Sequence, residues 1–432
     1  MYIAIMVVAF TLAIIILRAL SFHQGIYNEN DKSIKSVTGM RCLLAALVAF
    51  SHFAQYIYSF DHPWIYNKDY FAWFSEGNFF VNSGKFGVLL FFMISAFLFY
   101  RWLDNDTLSP AQLTKKLIVS RVRRIVPMFW FSGFIILSIG LAAGSLSPTL
   151  AAGKDFIVWM LFMGSYHVGD LNTSFINAGV EWTLRIEWLL YLSIPLIYLV
   201  NRATKGKYLT AIILASICLN FILAVAIRIY GSACADPRPV LGFAMGYLAY
   251  KYRAWFVRYK SSKPAAGLSL LLACFALCFT SNTYFYVIFL GCLALIFFVV
   301  SSGNALFGLL NNKTVVAIGE VSYSLYLMHG IVLYFIKQIP APVIQHSFFF
   351  YTLLAPLFFV GSFYVAKFTY LMIEKPFIGK STRKDVAINA TPTIQDIGMI
   401  LHVRITFIKS GTAVFRGAGN EGYPFLHRDP GV

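Results

Sequence analysis

The sequence predicts an all-α fold, a polytopic transmembrane helix bundle of about ten core spans preceded by one N-terminal span. Three observations predict it. Of the 432 residues, 59% are hydrophobic and only 12% charged, about half the charge that a soluble chain carries. Apolar runs recur along the chain, each long enough, or nearly so, to cross a hydrocarbon core about 30 Å thick. The lysines and arginines between them gather on alternate loops, the asymmetry that orients helical membrane proteins.

The runs lie at about 2–20, 42–60, 85–100, 126–145, 187–201, 208–229, 239–250, 266–281, 285–302, 318–336 and 348–372. The first has no charged start and ends at Arg18 without a small-residue cleavage site, so it reads as an anchor rather than a signal peptide. Run 239–250 is short and glycine-containing. One set of loops carries Arg101, Lys115, Lys116, Arg121, Arg123 and Arg124, then Lys251, Arg253, Arg258, Lys260 and Lys263. The opposite set holds only Lys68, Lys85, Lys154, Arg185, Arg228, Arg238 and Lys337. The rich set is cytoplasmic, which puts the N-terminus outside and the C-terminus in the cytoplasm. The net charge of +17 is thereby topological. No aromatic–basic groove or nucleic-acid motif accompanies it, which argues against nucleic acid as a partner.

Two outer loops, 61–84 and 146–181, are long, aromatic and mildly acidic, with Asp61, Asp69, Glu76, Asp170 and Glu181. Either they roof a cavity or they pack on the rim of the bundle. From residue 385 the composition changes, and its longest apolar run, 398–408, contains His402 and Arg404. That run is too short to span, so 385–432 is expected to be a peripheral or disordered tail, too short for a catalytic domain. The cysteines, Cys42, Cys218, Cys234, Cys274, Cys278 and Cys292, fall almost entirely in apolar runs. They suggest neither a disulfide framework nor a metal site.

Ionisable residues inside spans are costly and mark function. In GMRCLLAALVAFSH (39–52), Arg41 and His52 share nearly one helix face, about 16 Å apart along the axis. Arg41 then sits at the cytoplasmic mouth, suited to phosphate. His52 lies mid-membrane, where a neutral imidazole suits a general base toward a hydroxyl. The competing reading is a snorkelling arginine and a carbonyl-bonded histidine. In RVRRIVP (121–127), Arg121 and Arg124 fall on one helix face and are placed to grip a second phosphate, unless they only set topology. EWTLRIEWLLY (181–191) puts Glu187 at the outer start of a span. There it either orients His52 or an acceptor hydroxyl, or pairs with Arg185 in an aromatic belt. Ser95 lies alone in GVLLFFMISAFL (87–98), for helix packing or for a cavity; no nucleophile elbow surrounds it. SYSLYLMH (322–329) places Tyr323, Ser324 and His329 inside a late span, with His329 either a cavity residue or an interhelical hydrogen-bonder.

In this order and spacing, and with IEKPF (373–377), these motifs resemble the acyltransferase 3 family over about residues 34–380. Its members are membrane-bound acyltransferases that modify surface polysaccharides, lipopolysaccharide, macrolides and similar acceptors. The resemblance implies a transferase of groups other than amino-acyl groups in a bacterial inner membrane. Its co-substrate would be cytoplasmic acyl-CoA, often acetyl-CoA, with no bound cofactor or metal, and its acceptor a hydroxyl of a saccharide or glycolipid. The family's arginine–histidine pair falls on Arg41 and His52, its loop arginines on Arg121 and Arg124, and its tryptophan–glutamate motif on Trp182 and Glu187. By that analogy His52 is catalytic with Glu187 beside it, and the arginines serve the donor. Trp182, Ser95, Tyr323, Ser324 and His329 are candidates for the acceptor or the cavity. The chain departs from the family pattern at Met1–Leu20, an added span, at Cys42, where Gly or Ala is commoner, and at Leu89 and Ala96. The last two bear on the second core helix's part in acceptor choice. The alternative is a proton-coupled transporter or flippase for an anionic glycolipid or acyl carrier, but no inverted repeat or matched pair of broken helices is visible. Membrane lipid is the expected surroundings.

Overall fold

The structure, a computed structural model, describes residues 2–29, 34–56, 77–103, 109–163, 166–204, 207–212, 238–278, 283–338 and 348–378, with 215, 218 and 222. The helices in chain order are α1 (Tyr2–Ala19), α2 (Lys35–Tyr56), α3 (Gly77–Leu103), α4 (Pro110–Ala142), α5 (Leu150–Met160), α6 (Ser174–Asn177) and α7 (Glu181–Ala203). They continue with α8 (Arg238–Lys251), α9 (Arg253–Phe256), α10 (Lys263–Cys278), α11 (Thr283–Ser301), α12 (Lys313–Glu320), α13 (Ser322–Lys337), α14 (Phe348–Thr352) and α15 (Ala355–Thr369). A π-helical turn, Tyr370–Glu374, follows α15. Most predicted runs each fall on one helix, but 318–336 is divided between α12 and α13 and 348–372 between α14 and α15. Run 208–229 lies mostly outside the described residues, as do residues 61–76 of the loop predicted at 61–84, Cys234 and the tail from 385.

The result is a polytopic helical bundle. Among the described residues, five stretches are long and apolar enough to cross a bilayer, and seven if the bent pairs α9–α10 and α12–α13 each count as one. Those pairs turn by 104° and 76°. The helices α1 and α11 are apolar but shorter. Several helices begin well before their apolar runs. Hydropathy sees only the part that meets lipid, whereas a helix continues through charged residues once its end is satisfied. The start of α4 shows how: Ser109 and Gln112 form a reciprocal capping box with Pro110 in the first turn, which satisfies donors that would otherwise be orphaned. The 33 residues of α4 extend about 50 Å, so its basic half stands clear of the hydrocarbon.

Two apolar cores form, and α2 and α13 divide them. Val37, Met40 and Leu44 of α2 join a cluster with α3, α4, α7, α8 and α11. Cys42, Ala45, Ala49, Phe50 and Phe53 join a second cluster with α1, α12 and α15. Helix α13 does likewise, with Leu327, Met328 and Ile331 on one side and Leu325, Leu333 and Ile336 on the other. Helix α1 docks through Phe10, whose ring meets Phe50 at 5.9 Å and Phe359 at 5.7 Å. Outside the helices, a hydrogen bond from Lys313 holds the exposed Glu29 carboxyl below its ordinary range.

Small residues let the helices close on each other, as bundles in lipid require. A Cβ on Gly319 of α12 would lie 1.9 Å from the Thr38 carbonyl oxygen of α2. One on Gly246 of α8 would lie 2.3 Å from that of Met93 in α3. Both obstacles are backbone and cannot rotate away. Gly319→Val is therefore expected to cost about 3 kcal/mol or more, read as a lower unfolding temperature in detergent. Melting like the wild type would show that α2 and α12 separate without penalty.

The described residues of the second long loop, predicted at 146–181, pack onto the bundle. Helix α5 leads to a small antiparallel hairpin, His167–Val168 with Leu171–Asn172, which turns at Gly169 and Asp170. Trp159, Val168 and Leu171 are buried, and the Leu171 side chain closes on Gly140 of α4. The buried Glu181 carboxylate accepts from Trp159, Thr173 and Asn177. Those bonds tie the loop to the start of α7. The Asn177 backbone then abuts Gly330 of α13, where a Cβ would come within 2.4 Å.

Candidate active site

The predicted residues converge on the seam between the two cores. A cavity of about 140 Å³ is lined by Arg41 of α2, Ser95 of α3, Arg121 and Arg124 of α4, Glu187 and Tyr191 of α7, and Ser322, Tyr323 and Tyr326 of α13. Arg41 and Arg124 lie within charge–charge range of one another and of Glu187, Glu320 and Glu374. The Arg121 guanidinium sits 5.0 Å from the centre of the Tyr191 ring, and its Nε is buried without a partner. Among the described residues, none of the three guanidiniums has a hydrogen-bond or ion-pair partner.

The carboxylates are held by hydroxyls instead. Ser95 donates to Glu187 Oε1 at 3.1 Å and Tyr191 to Oε2 at 3.0 Å. Glu187 thus faces the arginines, one turn from Tyr191 on its own helix, and its oxygens are spoken for by these two residues rather than by His52. Deeper in the same seam, Ser324 donates to Glu374 Oε2 at 2.8 Å, leaving Oε1 buried and unpartnered. Glu374 closes the π-helical turn, a local irregularity frequent at functional sites. Ser324 is therefore beside the cavity and not in its wall.

From the cavity, one face of α13 leads to the histidines. Tyr323 donates to the Ile125 carbonyl at 2.8 Å, close to Pro127, which removes one helical bond from α4. Tyr326 donates to Val180 at 3.0 Å, and its oxygen lies 2.8 Å from Thr183 Oγ1. One turn on, the His329 ring is 6.1 Å from that of Tyr326. His329 Nε2 lies 2.7 Å from His52 Nδ1, with the two rings 14° from parallel. His329 is fully buried and His52 half-buried. Trp182 meets Phe92 edge-on at 6.4 Å.

Sequence reasoning did not single out Tyr191, Tyr326, Thr183 and Glu374. Helical spacing held the signal for the first two: Tyr191 is four residues after Glu187, and Tyr326 three before His329. Glu374 lies about fifty residues from the serine that binds it, and no local pattern connects them. Leu89 and Ala96 are buried against Gly242 and Gly246 of α8, on the flank of α3 away from Ser95.

Fold and site define a polytopic integral membrane protein with ionisable residues drawn into its interior. More narrowly, the chain belongs to the acyltransferase 3 family, whose profile, described as an acyltransferase domain, matches residues 34–367. A protein of Acidianus two-tailed virus named "Putative acetyltransferase ORF330" is 25% identical over 261 residues, covering 57% of this chain and 73% of its own. No solved structure gives a significant match.

Proposed function

We propose that this acyltransferase moves an acyl group, most simply acetyl, from cytoplasmic acyl-CoA to a hydroxyl of a saccharide or glycolipid. The observation that carries the reading is the set of three guanidiniums around one cavity with no protein anion bonded to them. Leaving buried charge unbonded is expensive, and phosphate oxygens are the groups that guanidiniums bind best. In this reading Arg41, Arg121 and Arg124 hold phosphates of the donor. Glu187, fixed by Ser95 and Tyr191, keeps the local charge from becoming prohibitive. The positive loops support a reading in which this end of α2 faces the cytoplasm across an inner membrane, with the N-terminus outside.

The thioester then extends along the seam toward His52, about 16 Å up the helix. His52 takes the proton of the acceptor hydroxyl as its oxygen attacks the acyl carbon. An ester C–O bond forms, the C–S bond breaks, and the proton passes from His52 to the departing thiolate. Trp182, Tyr326 and Thr183 border the route by which an acceptor reaches the histidine. Purified full-length protein given acetyl-CoA and a saccharide acceptor is expected to release one free CoA thiol per ester formed. Movement of a glycolipid across proteoliposomes with no thiol release would overturn the proposal in favour of a flippase.

A further inference from the structure

Two histidines in contact leave open which ring is oriented by which, and the bonds around His329 decide it. Its Nδ1 lies 3.1 Å from the backbone carbonyl of Leu325, one turn back on α13. A carbonyl oxygen only accepts, so Nδ1 carries the proton. A neutral His329 then has a lone pair at Nε2. That lone pair faces His52 Nδ1 at 2.7 Å, so His52 must donate there and be protonated at Nδ1. The Nε2 of His52 is left as the basic nitrogen. The chain of orientation runs from the Leu325 carbonyl through His329 to His52.

We propose that His329 is a positioning residue that fixes the tautomer and ring plane of His52, so that Nε2 is the nitrogen that receives the acceptor's proton. The inference rests on the reading of His52 as the base. When Nε2 takes that proton, the positive charge formed on His52 is met by the His329 lone pair, which strengthens a bond already in place. No group has to move. The arrangement does for His52 what a carboxylate does in a hydrolase triad, where the wrong tautomer costs about 10⁴-fold, but with a neutral partner that adds no charge to the membrane interior. Gly330 supports it: its missing Cβ lets the Asn177 backbone close on α13 beside the histidine.

The test uses full-length protein in lipid nanodiscs with ¹⁵N-labelled histidine, the His52 signals being assigned by their absence in His52→Gln. In the wild type His52 is expected to carry its proton at Nδ1 alone. His329→Leu removes the acceptor and is expected to mix the tautomers and lower kcat about 10²-fold or more, with the KM for acetyl-CoA within about twofold. His329→Gln returns an acceptor oxygen near the place of Nε2, and is expected to restore the Nδ1–H tautomer and bring kcat within about tenfold of wild type. A wild-type His52 protonated at Nε2 overturns the inference, as does a leucine variant with wild-type kcat. Should the leucine variant fail to fold, the wild-type spectrum and the glutamine variant decide. Full activity in a His52 variant would instead remove the underlying reading of the base, whatever the tautomer proves to be.

Discussion

His52→Ala is expected to reduce acyl transfer by about 10²–10⁴-fold, to near background, in a protein that still inserts and folds. The fold survives because the surroundings of His52 hold themselves together. Phe53 is buried against Tyr351 and Phe358, with ring centres at 4.4 and 5.1 Å, and alanine is the best helix former. The structural cost is the unpaired His329 Nε2, about 1–3 kcal/mol. His52→Gln separates the two effects, since an amide can hold the position and bond to His329 but cannot accept the proton. Single-turnover transfer at saturating acetyl-CoA should be lost in both variants, while melting temperature falls less in the glutamine variant. A wild-type rate in either would exclude His52 as the base.

Much of this site was legible in the sequence because helical phase is fixed. Arg41 and His52 lie eleven residues apart on one unbroken helix, so their shared face follows from backbone geometry alone. Arg121 and Arg124 follow from the same rule. Which helices meet is a different kind of fact, since it depends on where backbone can approach backbone. The glycines that decide it, Gly319 against Thr38 and Gly330 against Asn177, sit inside ordinary apolar runs and look like any other small residue. For that reason His329 read equally well as a cavity residue or an interhelical hydrogen-bonder. Glu187 illustrates the same limit. Its place near the start of a span is compatible with reaching His52, but α3 and α7 bring Ser95 and Tyr191 to its two oxygens instead. The helix boundaries erred for a simpler reason. Hydropathy marks the lipid-facing part of α4, whereas its capping box starts the helix sixteen residues earlier, at Pro110 rather than about 126.

Arg124→Gln is the second substitution with a large expected effect, and its sign separates a ligand-binding role from a structural one. A charge-assisted bond to phosphate contributes about 1.5–3 kcal/mol, so its loss should raise the KM for acetyl-CoA by roughly 10- to 100-fold. With the base untouched, kcat should change less than about threefold. Without donor, Arg124 is attracted by Glu374, Glu320 and Glu187 and repelled by Arg41, and the attractions prevail. Its loss should therefore lower the unliganded melting temperature by no more than a few degrees. CoA, by contrast, stabilises the wild type in proportion to the logarithm of its concentration over Kd, and at equal concentration that stabilisation should shrink in the variant. Arg124→Lys keeps the charge but loses the planar fork, and should fall between the two. The double variant with Arg41→Gln should lose less than the sum of the single losses, because removing either arginine relieves the repulsion on the other. If Arg124→Gln melts several degrees lower without ligand and keeps its KM, Arg124 holds the helices together and the donor phosphates lie elsewhere.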